Sequence, residues 1–345
     1  ICGIFVMRNF SLAIPAALSI CLLSACTTTT ETPVRSAAPL TSGAAAQALY
    51  SQWFVPQSAQ TSAAANQLQQ RMHNYCAGKA DITAVRTQFV QTSQQWDRLS
   101  TLAMGPQIER RTARMVDFQP MRMPLLKSAL RKAPKDLAAM ETIGAPAKGL
   151  PAAEYLLWTE VAQPHTPQCH YATLVTADIA QELLALYQAN QAAAQDSPLD
   201  FESNAEFLNQ WIGGLERLRW QSMEKPLRSA TASKPAQLTR AASQGTLQSW
   251  QAQWAALQQL AIGMPQQPHH VSITALVEAR GWSHLAQALR TATQQADAAM
   301  RAVTAPDLQA IAPASEALRQ LKHLVETDVA MALDISIGFS DADGD

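Results

Sequence analysis

Asp81-Ile82-Thr83-Ala84-Val85-Arg86-Thr87-Gln88-Phe89-Val90-Gln91-Thr92-Ser93-Gln94-Gln95-Trp96-Asp97-Arg98-Leu99-Ser100-Thr101-Leu102-Ala103-Met104 is the stretch whose reading decides the fold. Ile82, Val85, Phe89, Trp96 and Leu99 recur at spacings of three, four and seven, which puts them on one face of an α-helix. Gly105-Pro106 stops the pattern, because neither residue continues a helix cheaply. Similar stripes return at Val175, Ile179, Leu183 and Leu186, and at Leu208, Trp211, Leu215 and Leu218, with Asp196-Ser197-Pro198 as a break between them. Two more follow, at Leu247, Trp250, Trp254 and Leu257, and at Leu318, Leu321, Val325 and Val329. Alternation of period two is confined to Leu333–Ile337, a weak candidate strand.

Composition points the same way. The aromatic share is 6%, glycines number only 13, and Ala and Gln are abundant. Those are helix formers, whereas strands favour β-branched and aromatic residues. Amphipathic helices joined by short Gly/Pro breaks must bury their stripes against one another, and antiparallel bundles do this most economically. The chain of 345 residues is long enough for one large domain or two modest ones. Residues 222–245, with Lys225-Pro226 and Lys234-Pro235, form the best internal boundary between an N-terminal and a C-terminal group of helices. A net charge of −1 gives no overall field to gather a phosphate backbone, so no nucleic-acid partner is expected.

The N-terminus speaks to compartment. Met7-Arg8-Asn9 supplies a start and a positive charge, an apolar run follows from Phe10 to Leu23, and Leu23-Ser24-Ala25-Cys26 closes it. These are the parts of a secretory signal, and the run is short for a bilayer span. The Leu-Ser-Ala-Cys ending resembles the bacterial lipobox. Residues 1–25 are therefore expected to be a signal whose real start is Met7, with Ile1 to Val6 upstream of it. Cys26 is the expected lipidation site and the membrane contact. Residues 26–43, rich in Thr, Ser, Ala and Pro, read as a flexible tether, and the helical domain occupies 44–345. Thr27 after the cysteine, rather than Asp, favours the periplasm-facing outer membrane. With Cys2 upstream, Cys21 in the signal and Cys26 acylated, Cys76 and Cys169 remain; an even pair in an oxidising envelope reads as a disulfide.

Three local features together resemble the imelysin-like family of bacterial envelope proteins. Gly149-Leu150-Pro151-Ala152-Ala153-Glu154-Tyr155-Leu156-Leu157-Trp158 is similar to that family's Gly-x-His-x-x-Glu stretch and the Glu-Tyr-Leu-Leu that follows. Leu215-Glu216-Arg217-Leu218-Arg219 with Lys225-Pro226 is the second. The ending Gly338-Phe339-Ser340-Asp341-Ala342-Asp343-Gly344-Asp345 resembles the family's Gly-Phe-x-x-x-Asp-Gly-Asp finish. The likeness takes in Cys76 and Cys169 and spans residues 44–345. It implies an all-α fold of two packed antiparallel helical bundles, with the motif near a helix start in the cleft between them. It also implies association with iron or haem uptake, and a peptidase label that comes from the family's name.

The candidate site is Gly149, Pro151 and Glu154. In family members with the full motif, His and Glu three residues apart project from one helical face and suit a divalent or ferric ion. Here the His position is Pro151, which has no lone pair to offer and fits the first turn of a helix. Two readings of Glu154 stand: a first-turn carboxylate favoured by the helix macrodipole, or a surviving ligand for iron or another divalent metal that recruits His73, His165 and His170. The last two flank Cys169, and a Cys76–Cys169 bridge would bring His73 towards them. His269-His270 reads as a polar loop, and Asp341, Asp343 and Asp345 as a solvated acidic tail rather than a complete calcium loop. Trp96, Trp158, Trp211, Trp250 and Trp254 read as core. No His-Glu-x-x-His, Gly-x-Ser-x-Gly or phosphate-loop pattern occurs. The expected function is that of a non-enzymatic accessory or binding component of metal acquisition, with envelope proteins as partners. The alternatives are a metal-dependent peptidase and a ligand-free docking lipoprotein.

Overall fold

The helix around Trp96 forms as its spacing requires. Asp81 caps it by accepting the Thr83 amide at 2.7 Å, and Val85, Phe89, Trp96 and Leu99 are buried. It ends at Ser100, five residues before Gly105, and residues 101–104 leave it as an irregular buried turn. The computed structural model describes residues 42–196, 201–264 and 270–338, and residues 39–345 belong to one compact unit. The signal, Cys26, the tether up to Thr41, Ser197-Pro198, His269 and the ending from Phe339 onward lie outside the described residues.

In chain order the principal helices are α1 (Ser42–Leu49), α2 (Val55–Cys76), α3 (Ile82–Ser100), α4 (Gly149–Glu154), α5 (Pro167–Asp196), α6 (Phe201–Glu216), α7 (Thr246–Ile262), α8 (Ser283–Arg301) and α9 (Leu308–Leu324). No β-strand occurs among the described residues, only an isolated bridge between Thr231 and Lys234. The expected strand at Leu333–Ile337 does not form. Leu333 instead closes a helical turn, Asp334 takes a left-handed φ of 57°, and Asn209 holds the Gly338 amide at 2.9 Å.

The helices fall into two packed antiparallel groups. In the first, α2 and α3 run opposite ways. The Gln57 side chain donates to Gln95 at 2.8 Å near one end, and Thr92 donates to the Ala64 carbonyl at 3.0 Å further along. The long α5 lies antiparallel against α2: Cys76 meets Cys169 at one end, while Ala59 faces Tyr187 across a groove at the other. In the second group, the Trp254 indole donates to Asp297 at 3.0 Å and Gln251 to the Met300 carbonyl at 2.7 Å, which sets α7 against α8. The Trp211 indole on α6 donates to the Leu257 carbonyl of α7 at 2.9 Å, and α9 packs on α8. The contact between α3 and α7 joins the groups, and Arg98 stitches it by donating to Gln57 at 2.9 Å and to Gln259. Residues 217–224 continue α6 as a π-helix and 225–228 add one α-turn; residues 229–245 are largely irregular and run back over the first group.

Candidate functional site

Gly149 opens α4 with φ +76°, and a Cβ placed there would lie 2.5 Å from the Val116 carbonyl oxygen. Only glycine lets the motif helix approach the Thr112–Val116 helix so closely. Gly149→Ala is therefore expected to cost about 2–3 kcal/mol, from left-handed strain and overpacking together. A chemical melt of the variant checks this, and a loss under 1 kcal/mol would contradict the close-approach argument. Pro151, third in α4, is buried in the first turn, where its missing N–H costs nothing.

Glu154 lies in the second turn of α4, not the first, so the macrodipole reading does not describe it. Its Oε1 accepts two hydrogen bonds from one residue, the Ser243 amide at 2.8 Å and the Ser243 hydroxyl at 2.6 Å. Glu154 as a whole is 7% exposed. Directly after it the helix widens into a π-turn, Tyr155–Thr159, the kind of distortion that is rare and often marks functional places. Trp158 on that turn is half-buried, edge-on to Phe89 and beneath the Arg86 guanidinium.

Beside Ser243 stands a buried ion cluster. Arg240, 1% exposed, reaches Asp97 of α3 at 2.9 Å and Asp117 at 2.5 Å with one guanidinium nitrogen, and Asp117 again at 3.1 Å with another. The Trp96 indole donates to Asp117 at 3.2 Å. Burial works against the Arg240 charge, but the pairing with Asp117 and Asp97 outweighs it and holds its pKa above the ordinary arginine range. For Asp97 burial dominates, helped by the like charge of Asp117, and lifts its carboxyl above the usual range in spite of Arg240. Desolvation of a carboxylate with only one close cation is the physical cause in that case. One irregular segment, 240–243, thus pins α3, the residues after Thr112–Val116, and α4.

The candidate histidines lie elsewhere. His73, His165 and His170 are all exposed and line one open depression of about 280 Å³ together with the Cys76–Cys169 disulfide. The His165 amide donates to the Cys76 carbonyl at 3.0 Å. Glu154 is not among the lining residues of that depression, so the structure groups the three imidazoles but does not join them to the motif carboxylate. Among the described residues no three His, Cys, Asp or Glu side chains stand where they would share a metal ion. His270 is not solvated as the sequence reading expected; it is 4% exposed, with ring nitrogens against the Val271 and Gln52 carbonyls at 3.1 and 3.2 Å.

The model of the imelysin peptidase family matches residues 54–328. The chain belongs to the imelysin family. Its fold agrees with two solved structures. One is an imelysin-like protein from Psychrobacter arcticum, with a TM-score of 0.73, 16% identity, and coverage of 86% of this chain and 97% of that one. The other, described as an iron-regulated protein A precursor from Parabacteroides distasonis, gives a TM-score of 0.70 at 11% identity, covering 85% of this chain and 94% of that one. No curated protein matches. Within this imelysin-family chain, Asp97, Arg240 and Ser243 are the residues that sequence reasoning missed, while Asp117, in a turn that the sequence left open as a cleft-lining candidate, pairs with Arg240. Asp97 stands at the edge of an apolar stripe, which was a faint signal; nothing in the sequence links it to an arginine 143 positions later.

Proposed function

We propose that this imelysin-family chain is a lipid-anchored, periplasm-facing accessory or binding component of iron, haem or other metal acquisition, and not a peptidase. The observation that carries the reading is the state of the motif. Residue 151 offers no donor atom, and the one oxygen of Glu154 with short contacts is held by both Ser243 donors. Those residues do not fit a resident ion at the motif: a catalytic metal needs several ligands, an open coordination position and a base. What they fit is a partly buried link between α4 and the 240–243 segment. The iron-regulated description of the Parabacteroides relative and the signal-like N-terminus with Cys26 supply the setting.

The rival is the activity in the family's name, a metal-dependent peptidase. Incubating the purified protein with an unfolded protein substrate, with and without chelator, separates the two. No cleavage is expected in either arm. Chelator-sensitive cleavage that vanishes in Glu154→Ala would overturn the proposal. Calorimetry with ferric, ferrous, zinc and calcium ions decides whether metal is cargo; silence for all four would favour a docking lipoprotein instead. Glu154→Ala is expected to lower stability by about 1–2 kcal/mol, since the partly buried Ser243 amide loses its acceptor and the hydroxyl keeps only the Arg240 carbonyl, at 3.2 Å. Glu154→Gln, which keeps a carbonyl oxygen there, is expected to retain most of that, and urea melts of both variants compare them.

A further inference from the structure

The near-neutral chain conceals one strongly basic stretch. Residues 110–135 hold eight of the 26 basic residues and one of the 27 acidic ones, which leaves 18 bases against 26 acids elsewhere. Arg110 is paired with Glu182 at 2.8 Å. The other seven cations are all exposed, and among the described residues none has a carboxylate within ion-pairing distance. Arg111, Arg114 and Arg122 precede the helix Met123–Lys132; Lys127, Arg131 and Lys132 lie on it, and Lys135 follows.

The stretch is folded over α5 and over the Ala145–Ala147 turn that leads into α4. Its short helices pack on α5, and both of its ends meet the same two turns of that helix. Arg110 and Thr112 reach Glu182 at one end, while Leu137, just past the other, lines a groove with Ala180 and Leu184. Seven α-helical residues, 178–184, span only about 10 Å along the axis, so the two ends of the stretch come back to the same part of α5. The Met123–Lys132 helix buries Leu126 and Ala129 inward and turns Lys127, Arg131 and Lys132 outward. Large apolar side chains are exposed in the stretch and beside it. Ile108, Leu125 and Leu184 are 48%, 44% and 47% exposed. The groove beside Leu184, about 510 Å³, mixes alanines and leucines with Ser62, Asn66, Gln69 and Gln181.

We infer that the face built from residues 108–135 on α5 docks onto an anionic phospholipid surface. Unpaired cations would meet the phosphates, and Ile108 and Leu125 would enter the boundary between headgroups and acyl chains. Four to eight Lys/Arg beside exposed apolar residues on an amphipathic helix are the ordinary signature of such binding. An acidic protein would satisfy the charges but gives no reason for exposed Leu125 between Arg122 and Lys127, or for exposed Ile108 just ahead of them. The inference takes the lipid anchor at Cys26 as its setting, so that the face would hold a tethered domain flat on its membrane. The measurement does not require the anchor, and failure of one leaves the other standing.

The test uses residues 39–345, the compact unit, without acyl chain or tether. Sedimentation with vesicles of phosphatidylethanolamine and phosphatidylglycerol is expected to show binding at least tenfold tighter than with phosphatidylcholine alone, and weakening as salt rises from about 0.05 to about 0.5 M. Neutralising Arg122, Lys127, Arg131 and Lys132 to Gln should weaken binding at least a hundredfold, at roughly fivefold per cation, and Leu125→Ser about tenfold. Because these side chains are exposed, circular dichroism and melting should match the parent. A control with the exposed Arg71, Lys79, Lys234 and Arg280 changed to Gln should bind as the parent does. Equal weakening in that control, unchanged binding in the first variant, or tighter binding to duplex DNA than to vesicles at the same salt would each overturn the inference.

Discussion

Arg240→Ala is expected to lower the thermal midpoint by about 10 °C. The guanidinium is almost wholly enclosed and is the cation closest to two carboxylates, one on α3 and one just beyond the Thr112–Val116 helix. Removing it leaves Asp97 and Asp117 facing each other with little water to replace the lost donors. Breaking a buried pair in this way typically costs about 3–5 kcal/mol, because an uncompensated charge stays behind. At roughly 2–4 °C per kcal/mol for a domain of this size class, the shift falls near that midpoint change. The pair need not be stabilising in itself. The combined change Arg240→Met with Asp97→Asn and Asp117→Asn should recover more than half of the loss, since no charge is then stranded. Circular-dichroism melts of the single and triple variants decide this. A single variant melting within two degrees of the parent would mean that water reaches the cluster and that the 240–243 segment is not pinned by it.

That cluster also marks the limit of what the sequence discloses. Helical content, stripe positions and the burial of Trp96, Trp211, Trp250 and Trp254 follow from a period of 3.6, a local property carried by neighbouring residues. The substitution of Pro151 for a ligand is likewise visible at once. What Glu154 does is not, because its partner Ser243 is 89 residues away in a segment whose prolines and small polar residues read as a boundary. Long-range polar pairing leaves no periodic trace; it is fixed only when packing brings the segments together. Net charge is blind in a related way. A value of −1 is a sum over the whole chain, and electrostatic attraction at a surface depends on charges within about a Debye length, here the seven exposed cations between Arg111 and Lys135. His270 shows the same limitation on a smaller scale, since a histidine after Gln-Gln-Pro looks solvated until Gln52 and α1's neighbouring turn close over it.

Loss of the Cys76–Cys169 disulfide is expected to cost roughly 4–5 kcal/mol, from the chain entropy of a closed loop of this size. The bridged residues are 93 apart, and the loop they close contains α3, the Thr112–Val116 helix, the basic stretch and α4. The bond joins the C-terminal end of α2 to the N-terminal end of α5, whose contact along the groove is the backbone of the first helix group. The second group, α6 to α9, lies wholly outside that loop. The cost should therefore be uneven in space, not only large. In the Cys76→Ser, Cys169→Ser double variant, amide exchange is expected to speed up most in α3 and α4, with α7 to α9 less affected, because the released chain belongs to the first group. Alkylation before and after reduction, read by mass spectrometry, should find both thiols blocked in oxidised protein. A double variant that melts with the parent would show that the unfolded chain is already held compact by other means. Uniform acceleration of exchange across both groups would show instead that the contact of α3 with α7 makes them one cooperative unit, and that the disulfide stabilises the whole domain rather than the half it encloses.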